Sequence, residues 1–169
     1  MKKVGVFYGS STGNTQSVAE TIVAKLGIDK SNLFDVSNTS VDKFAEYDVL
    51  ILGSSTWGVG DLQDDWEGLA SQLGKSDLSG KIVAVFGVGD SSSYPDTFCD
   101  AVGILAEEAE KAGATLVGSV DSAGYSFDDS RALSDGEFRG LVLDIDNEDD
   151  QTAKRVAGWI EKIKSEAGI

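Results

Sequence analysis

Val4-Gly5-Val6-Phe7-Tyr8-Gly9-Ser10-Ser11-Thr12-Gly13-Asn14-Thr15 is the stretch on which the fold turns. The apolar run through Tyr8 reads as a strand. Val18, Ala19, Ile22, Val23 and Leu26 then recur at helical offsets of three and four. Between them, Ser10 to Thr15 supply four hydroxyls, one amide and one glycine, with no Lys or Arg. A strand, a hydroxyl-rich turn and a helix start together make an anion cradle. Backbone N–H groups point into the turn, the helix dipole adds partial positive charge, and hydroxyls complete the oxygen shell. The guest this suits is a phosphate monoester. Ser and Thr also favour such turns simply as helix caps, so the turn alone leaves both readings open. A nucleoside-triphosphate loop needs four residues between its glycines, then Lys-Ser or Lys-Thr. Only Ser10, Ser11 and Thr12 separate Gly9 from Gly13, and Asn14-Thr15 follow, which argues against an NTPase.

Outward from this turn, short β-rich runs alternate with helical patterns. Strands are expected at Lys3–Tyr8, Leu33–Val36, Val49–Leu52, Ile82–Phe86 and Thr115–Val120. Helices are expected near Asn14–Leu26, Asp64–Leu73, Thr97–Ala112 and Thr152–Glu166. Val49-Leu50-Ile51-Leu52 and Ile82-Val83-Ala84-Val85-Phe86 are continuous apolar runs, as strands buried on both faces require. The alternation predicts an α/β fold, a doubly wound parallel sheet with helices on both faces. With 169 residues and no linker or repeat, residues 1–169 read as a single domain. The segment Asp121–Gly140, carrying Tyr125, Phe127 and Phe138 among Asp, Ser and Gly, is too long for an ordinary connection. It reads as an excursion interrupting the fifth strand, serving as edge cover in preference to a partner-docking surface.

Composition narrows the chemistry. The chain has no His, which removes the commonest metal ligand and the commonest general base near neutral pH. Cys99 is the single cysteine, so an intrachain disulfide is impossible. A net charge of −15 argues against nucleic acid or an anionic membrane as partner, and favours steering toward basic protein surfaces. No apolar run approaches the roughly 18 residues of a membrane span, and Met1-Lys2-Lys3 precedes too short a stretch for a signal peptide. A cytoplasmic setting is the expectation.

Ligands of doubly wound sheets bind beyond the carboxyl ends of the strands, where strand order reverses. Two further loops belong there: Gly53-Ser54-Ser55-Thr56-Trp57-Gly58-Val59-Gly60-Asp61 and Gly87-Val88-Gly89-Asp90-Ser91-Ser92-Ser93-Tyr94-Pro95. Each carries one aromatic residue among Gly and Ser, with little around it to bury the ring. Trp57 and Tyr94 are therefore candidate walls around a flat ligand.

Ser10 to Thr15, Thr56-Trp57-Gly58, Gly89-Asp90 followed by Tyr94, and Asp144-Ile145-Asp146-Asn147 resemble the flavodoxins over essentially the whole chain. The excursion, with Ala-Gly-Tyr-Ser-Phe at 123–127, is similar to the long-chain subgroup. The strand order 2-1-3-4-5 and the placement of flavin mononucleotide (FMN) at the switch point come from that family, not from the residues alone. The resemblance implies that Ser10, Ser11, Thr12, Gly13, Asn14 and Thr15 bind the FMN phosphate, and that Thr56 and Asp146 contact the ribityl chain. Trp57 and Tyr94 would cover opposite faces of the isoalloxazine, and Asp90 and Gly89 would reach its pyrimidine edge. Ser54, Ser55, Gly58, Val59, Gly60 and Val88 complete the binding loops. Ser54-Ser55 departs from the more usual turn containing proline. Cys99 stands where a polar amide often contacts the flavin; a thiol is a weak donor, and a small buried residue beside Phe98 and Val102 is the favoured reading.

Together the loops and the resemblance imply a low-potential one-electron carrier with non-covalent FMN, monomeric and without a substrate of its own. It would shuttle between semiquinone and hydroquinone to link basic reductases and acceptor enzymes. Rings on both flavin faces obstruct hydride transfer, and a second electron added beside a phosphate in an acidic protein is disfavoured. Two charges 10 Å apart repel by about 1.7 kcal/mol at an effective dielectric near 20. An FMN-dependent NAD(P)H/quinone-type oxidoreductase is the enzymatic alternative. A receiver-type signalling module is disfavoured, because Tyr8-Gly9-Ser10 stands where clustered acids are needed.

Overall fold

The computed structural model describes all residues, Met1–Ile169. In chain order the elements begin with β1 (Val4–Gly9), α1 (Asn14–Leu26), β2 (Leu33–Asp35), β3 (Val49–Trp57), β4 (Asp61–Leu62), α2 (Glu67–Lys75) and β5 (Ile82–Val88). They continue with α3 (Asp100–Lys111), β6 (Thr115–Val117), β7 (Val120–Asp121), β8 (Leu133–Ser134), β9 (Glu137–Phe138), β10 (Leu141–Leu143) and α4 (Ile145–Ala167). The main sheet runs β2, β1, β3, β5 and then a divided fifth position, which is the expected order 2-1-3-4-5. All its pairings are parallel except β4, which folds back on the end of β3 as a hairpin.

Side-chain alternation on buried strands builds two cores. Phe7, Leu50, Leu52, Val83, Val85 and Val142 face α2 and α3 in one cluster. Val6, Tyr8, Ile51, Ala84, Phe86 and Leu143 face α1 and α4 in the other. Strand order reverses between β1 and β3, so the loops leaving those strands part there and open a crevice.

The interruption of the fifth strand is literal. β6 pairs with the first half of β5, Ile82 to Ala84, and β10 pairs with the second half, Phe86 to Val88. The chain leaves at Gly118, turned by φ +82, so the expected strand Thr115–Val120 stops at Val117. It re-enters at Gly140, where an added Cβ would lie 2.2 Å from the Val85 carbonyl oxygen; only glycine passes that close. Between these points β7, β9 and β8 form a small antiparallel sheet. Phe127 and Tyr125 pack on Phe138 at 5.2 and 5.1 Å between ring centroids, and Phe138 is fully buried. The excursion therefore covers the sheet edge, and its rings join the core on the α2–α3 side of the sheet.

Three helix boundaries differ from the periodicity, two of them for tertiary reasons. The segment expected to be helical from Asp64 opens as a 3₁₀ turn, Asp64–Trp66, and α2 begins at Glu67. Its entry is fixed by Gln63, whose side chain accepts from the Asp65 N–H, and by the Trp66 indole, which donates to the Gly53 carbonyl at 2.8 Å. α3 begins at Asp100 and not Thr97, because Cys99 adopts a left-handed conformation (φ +52) and the Phe98 N–H donates to Asp129 in the excursion. α4 begins seven residues before the expected Thr152, with a kink at Glu148 (φ −133, ψ +41) joining a first turn to the main helix. No helix is long and apolar enough to cross a membrane.

Candidate functional site

α1 is entered through its N-cap, Gly13, whose φ of +97 turns the chain out of the β1 loop, and no side chain caps the helix start. The Gly13 N–H donates to the Ser10 hydroxyl at 3.1 Å, which folds the loop back on itself. Ser11, Thr12, Gly13 and Asn14 are exposed around this terminus, whereas Thr15 is buried to 1 % exposure. The Thr15 hydroxyl has no hydrogen-bond partner. An orphaned buried hydroxyl under an uncapped helix start is the donor set that a phosphate oxygen satisfies.

Beside it, a crevice of about 370 Å³ is lined by Thr12, Asn14, Ser55, Thr56, Trp57, Gly58, Val88, Gly89, Asp90, Tyr94 and Asp146. All of them are residues to which the sequence points. Trp57 and Tyr94 are 39 % and 43 % exposed, among the few large apolar side chains left open to solvent. The Trp57 indole donates to the Ser55 hydroxyl at 2.7 Å, so the ring is held in place by the loop itself. Gly58, at φ +53, begins the turn between β3 and β4, and Val59 at its tip is 82 % exposed. The Thr56 hydroxyl accepts the Ala101 N–H at 3.2 Å, tying the same loop to α3.

Tyr94 is held through Asp90. The Tyr94 N–H donates to the Asp90 carbonyl, and the Asp90 carboxylate accepts the N–H groups of Ser92 and Ser93. The Asn147 side-chain amide donates to the same carboxylate at 2.9 Å; it lowers the Asp90 pKa most, and keeps the residue anionic. No Lys or Arg lines the crevice, while Asp90 and Asp146 do.

Two residues that the family pattern places in the binding loops point elsewhere. The Cys99 side chain has no exposure; its Sγ lies 3.9 Å from the Leu143 carbonyl, and burial pushes the thiol pKa well up. A Cβ at Gly89 would meet Cys99 Sγ at 2.8 Å, so the thiol packs beneath the loop and does not open into the crevice. The side chain has the small, buried setting that the sequence favours for it. Ser54 is also fully buried, donating to the Ser55 carbonyl and accepting the Gln63 N–H. Ser10, Ser11, Gly13 and Thr15 sit at the α1 terminus next to the crevice, and Gly60 turns the hairpin toward Asp100.

Sequence reading assigns no role to Gln63, Ser91, Asp144 or Asn147. Gln63 is 2 % exposed and its amide donates to the Ser11 hydroxyl at 3.1 Å, joining the two loops across 52 residues. The only sequence signal for it is an amide just after a Gly-rich hairpin. Among the side chains there is no cluster of three or more His, Cys, Asp or Glu that could hold a metal ion.

A doubly wound sheet with an uncapped, hydroxyl-rich helix start and two exposed rings at its switch point defines a mononucleotide-binding α/β protein. The chain belongs to the flavodoxin family: residues 6–159 match the family model described as flavodoxin. It is 48 % identical over 168 residues to a flavodoxin from Nostoc sp., covering 99 % of each chain. It is 41 % identical over 167 residues to flavodoxin 1 of Escherichia coli, covering 98 % and 95 %. Among solved structures, the crystal structure of Fusobacterium nucleatum flavodoxin bound to flavin mononucleotide superposes with a TM-score of 0.91 at 30 % identity, over 98 % of this chain and 99 % of that one.

Proposed function

We propose that this protein is a low-potential one-electron carrier that holds FMN non-covalently as a monomeric, single-domain protein, and that it links basic reductases to acceptor enzymes in the cytoplasm. The observation that carries the reading is the pairing of two exposed rings, Trp57 and Tyr94, with an uncapped helix start over the orphaned Thr15 hydroxyl. When bound, FMN supplies the one-electron chemistry.

The chain's own residues do the rest. Ser10 to Thr15 would hold the phosphate with neutral donors, Thr56 and Asp146 would flank the ribityl chain, and Trp57 and Tyr94 would exclude water and hydride donors from the ring faces. Asp90 and Asp146, with no cation opposite them, disfavour added negative charge in the crevice, which keeps the second reduction at low potential. Exposed Asp61, Asp64, Asp65 and Glu67 crowd the β3–β4 hairpin beside Trp57, and suit a basic partner whose approach weakens with salt. The excursion between β6 and β10 supports assignment to the long-chain subgroup.

The test is FMN titration of the apoprotein followed by redox titration. Tight, stoichiometric quenching of flavin fluorescence and two resolved one-electron steps are expected. An apoprotein indifferent to FMN overturns the reading, and steady NAD(P)H oxidation without an added reductase replaces it with the oxidoreductase alternative.

A further inference from the structure

A second cleft, of about 420 Å³, lies between α4 and the excursion, and shares no residue with the crevice around Trp57 and Tyr94. Its volume falls within the range of small-molecule sites. The floor is apolar: Leu141 and Trp159 are buried, and Val120 is partly so. The Trp159 indole donates to the Gly118 carbonyl at 2.8 Å, so this part of the floor is rigid. At Gly158, on the exposed side of α4, nothing lies within 4 Å of the position a Cβ would take. The absent side chain is part of what opens the cleft.

The rim reverses the charge of the molecule. Overall the chain has 29 acidic and 14 basic residues, yet the cleft is lined by Lys154, Arg155 and Lys162 against Asp121 alone. Arg155 is pinned: its guanidinium lies 3.8 Å from the centroid of the Tyr125 ring, donates to the Gly124 carbonyl, and pairs with Glu148 at 3.4 Å. Lys162 is engaged by the carbonyl and hydroxyl of Ser119 and lies 3.9 Å from Glu166. Lys154 forms no ion pair and remains exposed at the mouth. One uncommitted cation above a rigid aromatic floor matches a single negative charge on an apolar body. A polyphosphate, with several negative charges, finds only this one uncommitted cation to match them.

We propose that this cleft is a second binding site, taking a small amphipathic monoanion: a flat apolar body that rests on Trp159 and Leu141 and presents one carboxylate or sulfonate to Lys154. The site stands independently of the FMN reading, since no crevice residue takes part in it.

The full chain, saturated with FMN, is titrated with naphthoate and, separately, with neutral naphthamide, following amide proton–nitrogen correlation spectra. Saturable shifts are expected on residues 119–125 and 154–162 and on the Trp159 indole N–H, with naphthoate bound about tenfold more tightly than naphthamide, or better. Lys154→Glu is expected to remove that preference and leave naphthamide binding in place. Gly158→Leu fills the cleft and is expected to abolish both; leucine is a better helix former than glycine, so the fold is not at risk. Equal affinity for the two probes, shifts centred on Trp57 and Tyr94, no saturable shift at all, or unchanged binding in both variants overturns the proposal.

Discussion

Ser91 and Asp144 are 53 residues apart in the chain, yet the buried Asp144 carboxylate accepts both the hydroxyl and the backbone N–H of Ser91. The Asn147 amide bridges this carboxylate, at 2.7 Å, to that of Asp90. Through these bonds the start of α4 clamps the loop that carries Tyr94. A hydrogen bond to a charged group contributes about 1.5–3 kcal/mol. Asp144→Ala is therefore expected to weaken FMN binding about tenfold, read as the dissociation constant in a fluorescence titration. Asp144→Asn, which keeps an acceptor, is expected to recover part of the loss. Unchanged affinity in the alanine variant would show that the clamp is not what positions Tyr94.

Thr15 offers effects of opposite sign in one variant. Its hydroxyl is buried and finds no hydrogen-bond partner within the chain, so Thr15→Val removes an uncompensated polar group and is expected to leave apoprotein stability equal or higher, by up to about 1 kcal/mol. FMN affinity should fall about tenfold, while the affinity for riboflavin, which lacks the phosphate, should not change. Chemical denaturation and parallel titrations with the two flavins separate these effects.

Gly58 holds φ at +53, and an added Cβ would stand 3.2 Å from the Asp61 carboxylate. With FMN bound, its carbonyl, at the exposed end of the hairpin, would serve as acceptor for a flavin N–H, because glycine turns such a peptide at little steric penalty. Gly58→Ala is expected to narrow the gap between the two one-electron potentials by about 45 mV, the equivalent of one hydrogen bond of about 1 kcal/mol. Potentiometric titration reads this directly.

Asp90 has its pKa lowered chiefly by the Asn147 amide. A carboxylate depressed in the folded state contributes stability above its unfolded pKa, and loses it as pH falls through the folded one. Asn147→Ala is accordingly expected to reduce stability at neutral pH, with the difference from the parent shrinking in acid. Urea denaturation along a pH series checks the convergence.

Tyr125 shows the reverse limb. Burial pushes its pKa up from 10.0 to about 12, while its hydroxyl donates to the Val142 carbonyl at 2.9 Å. The neutral phenol is favoured in the folded state, so the stabilisation is complete below pH 10.0 and lost as pH rises toward about 12. Tyr125→Phe is expected to lose about 1 kcal/mol near neutrality and to close the gap with the parent over that alkaline interval. Stability curves for both proteins from neutral to alkaline pH decide it.

The layered α/β architecture was legible in the chain because its causes are local. Apolar runs at Val49–Leu52 and Ile82–Phe86 demand burial on two faces, the 3.6-residue period marks α1, and Gly/Ser-rich loops leave Trp57 and Tyr94 without neighbours to cover them. The three Gly/Ser-rich loops at the crevice were legible for the same reason, since each follows a strand, whereas Asp146 at the start of α4 was pointed to only by the family resemblance. What the tertiary structure alone decided involves partners far apart in sequence. The start of α3 waits for the excursion to bind Phe98, and the fifth strand divides because Gly140 must slide against Val85. Cys99 turns inward under Gly89, and Ser91, Gln63 and Asn147 gain their roles from groups some fifty residues away. Periodicity and propensity report the energy of a residue among its neighbours in the chain. A buried carboxylate, an orphaned hydroxyl or a basic cleft in an acidic protein depends on contacts that exist only once the sheet has closed.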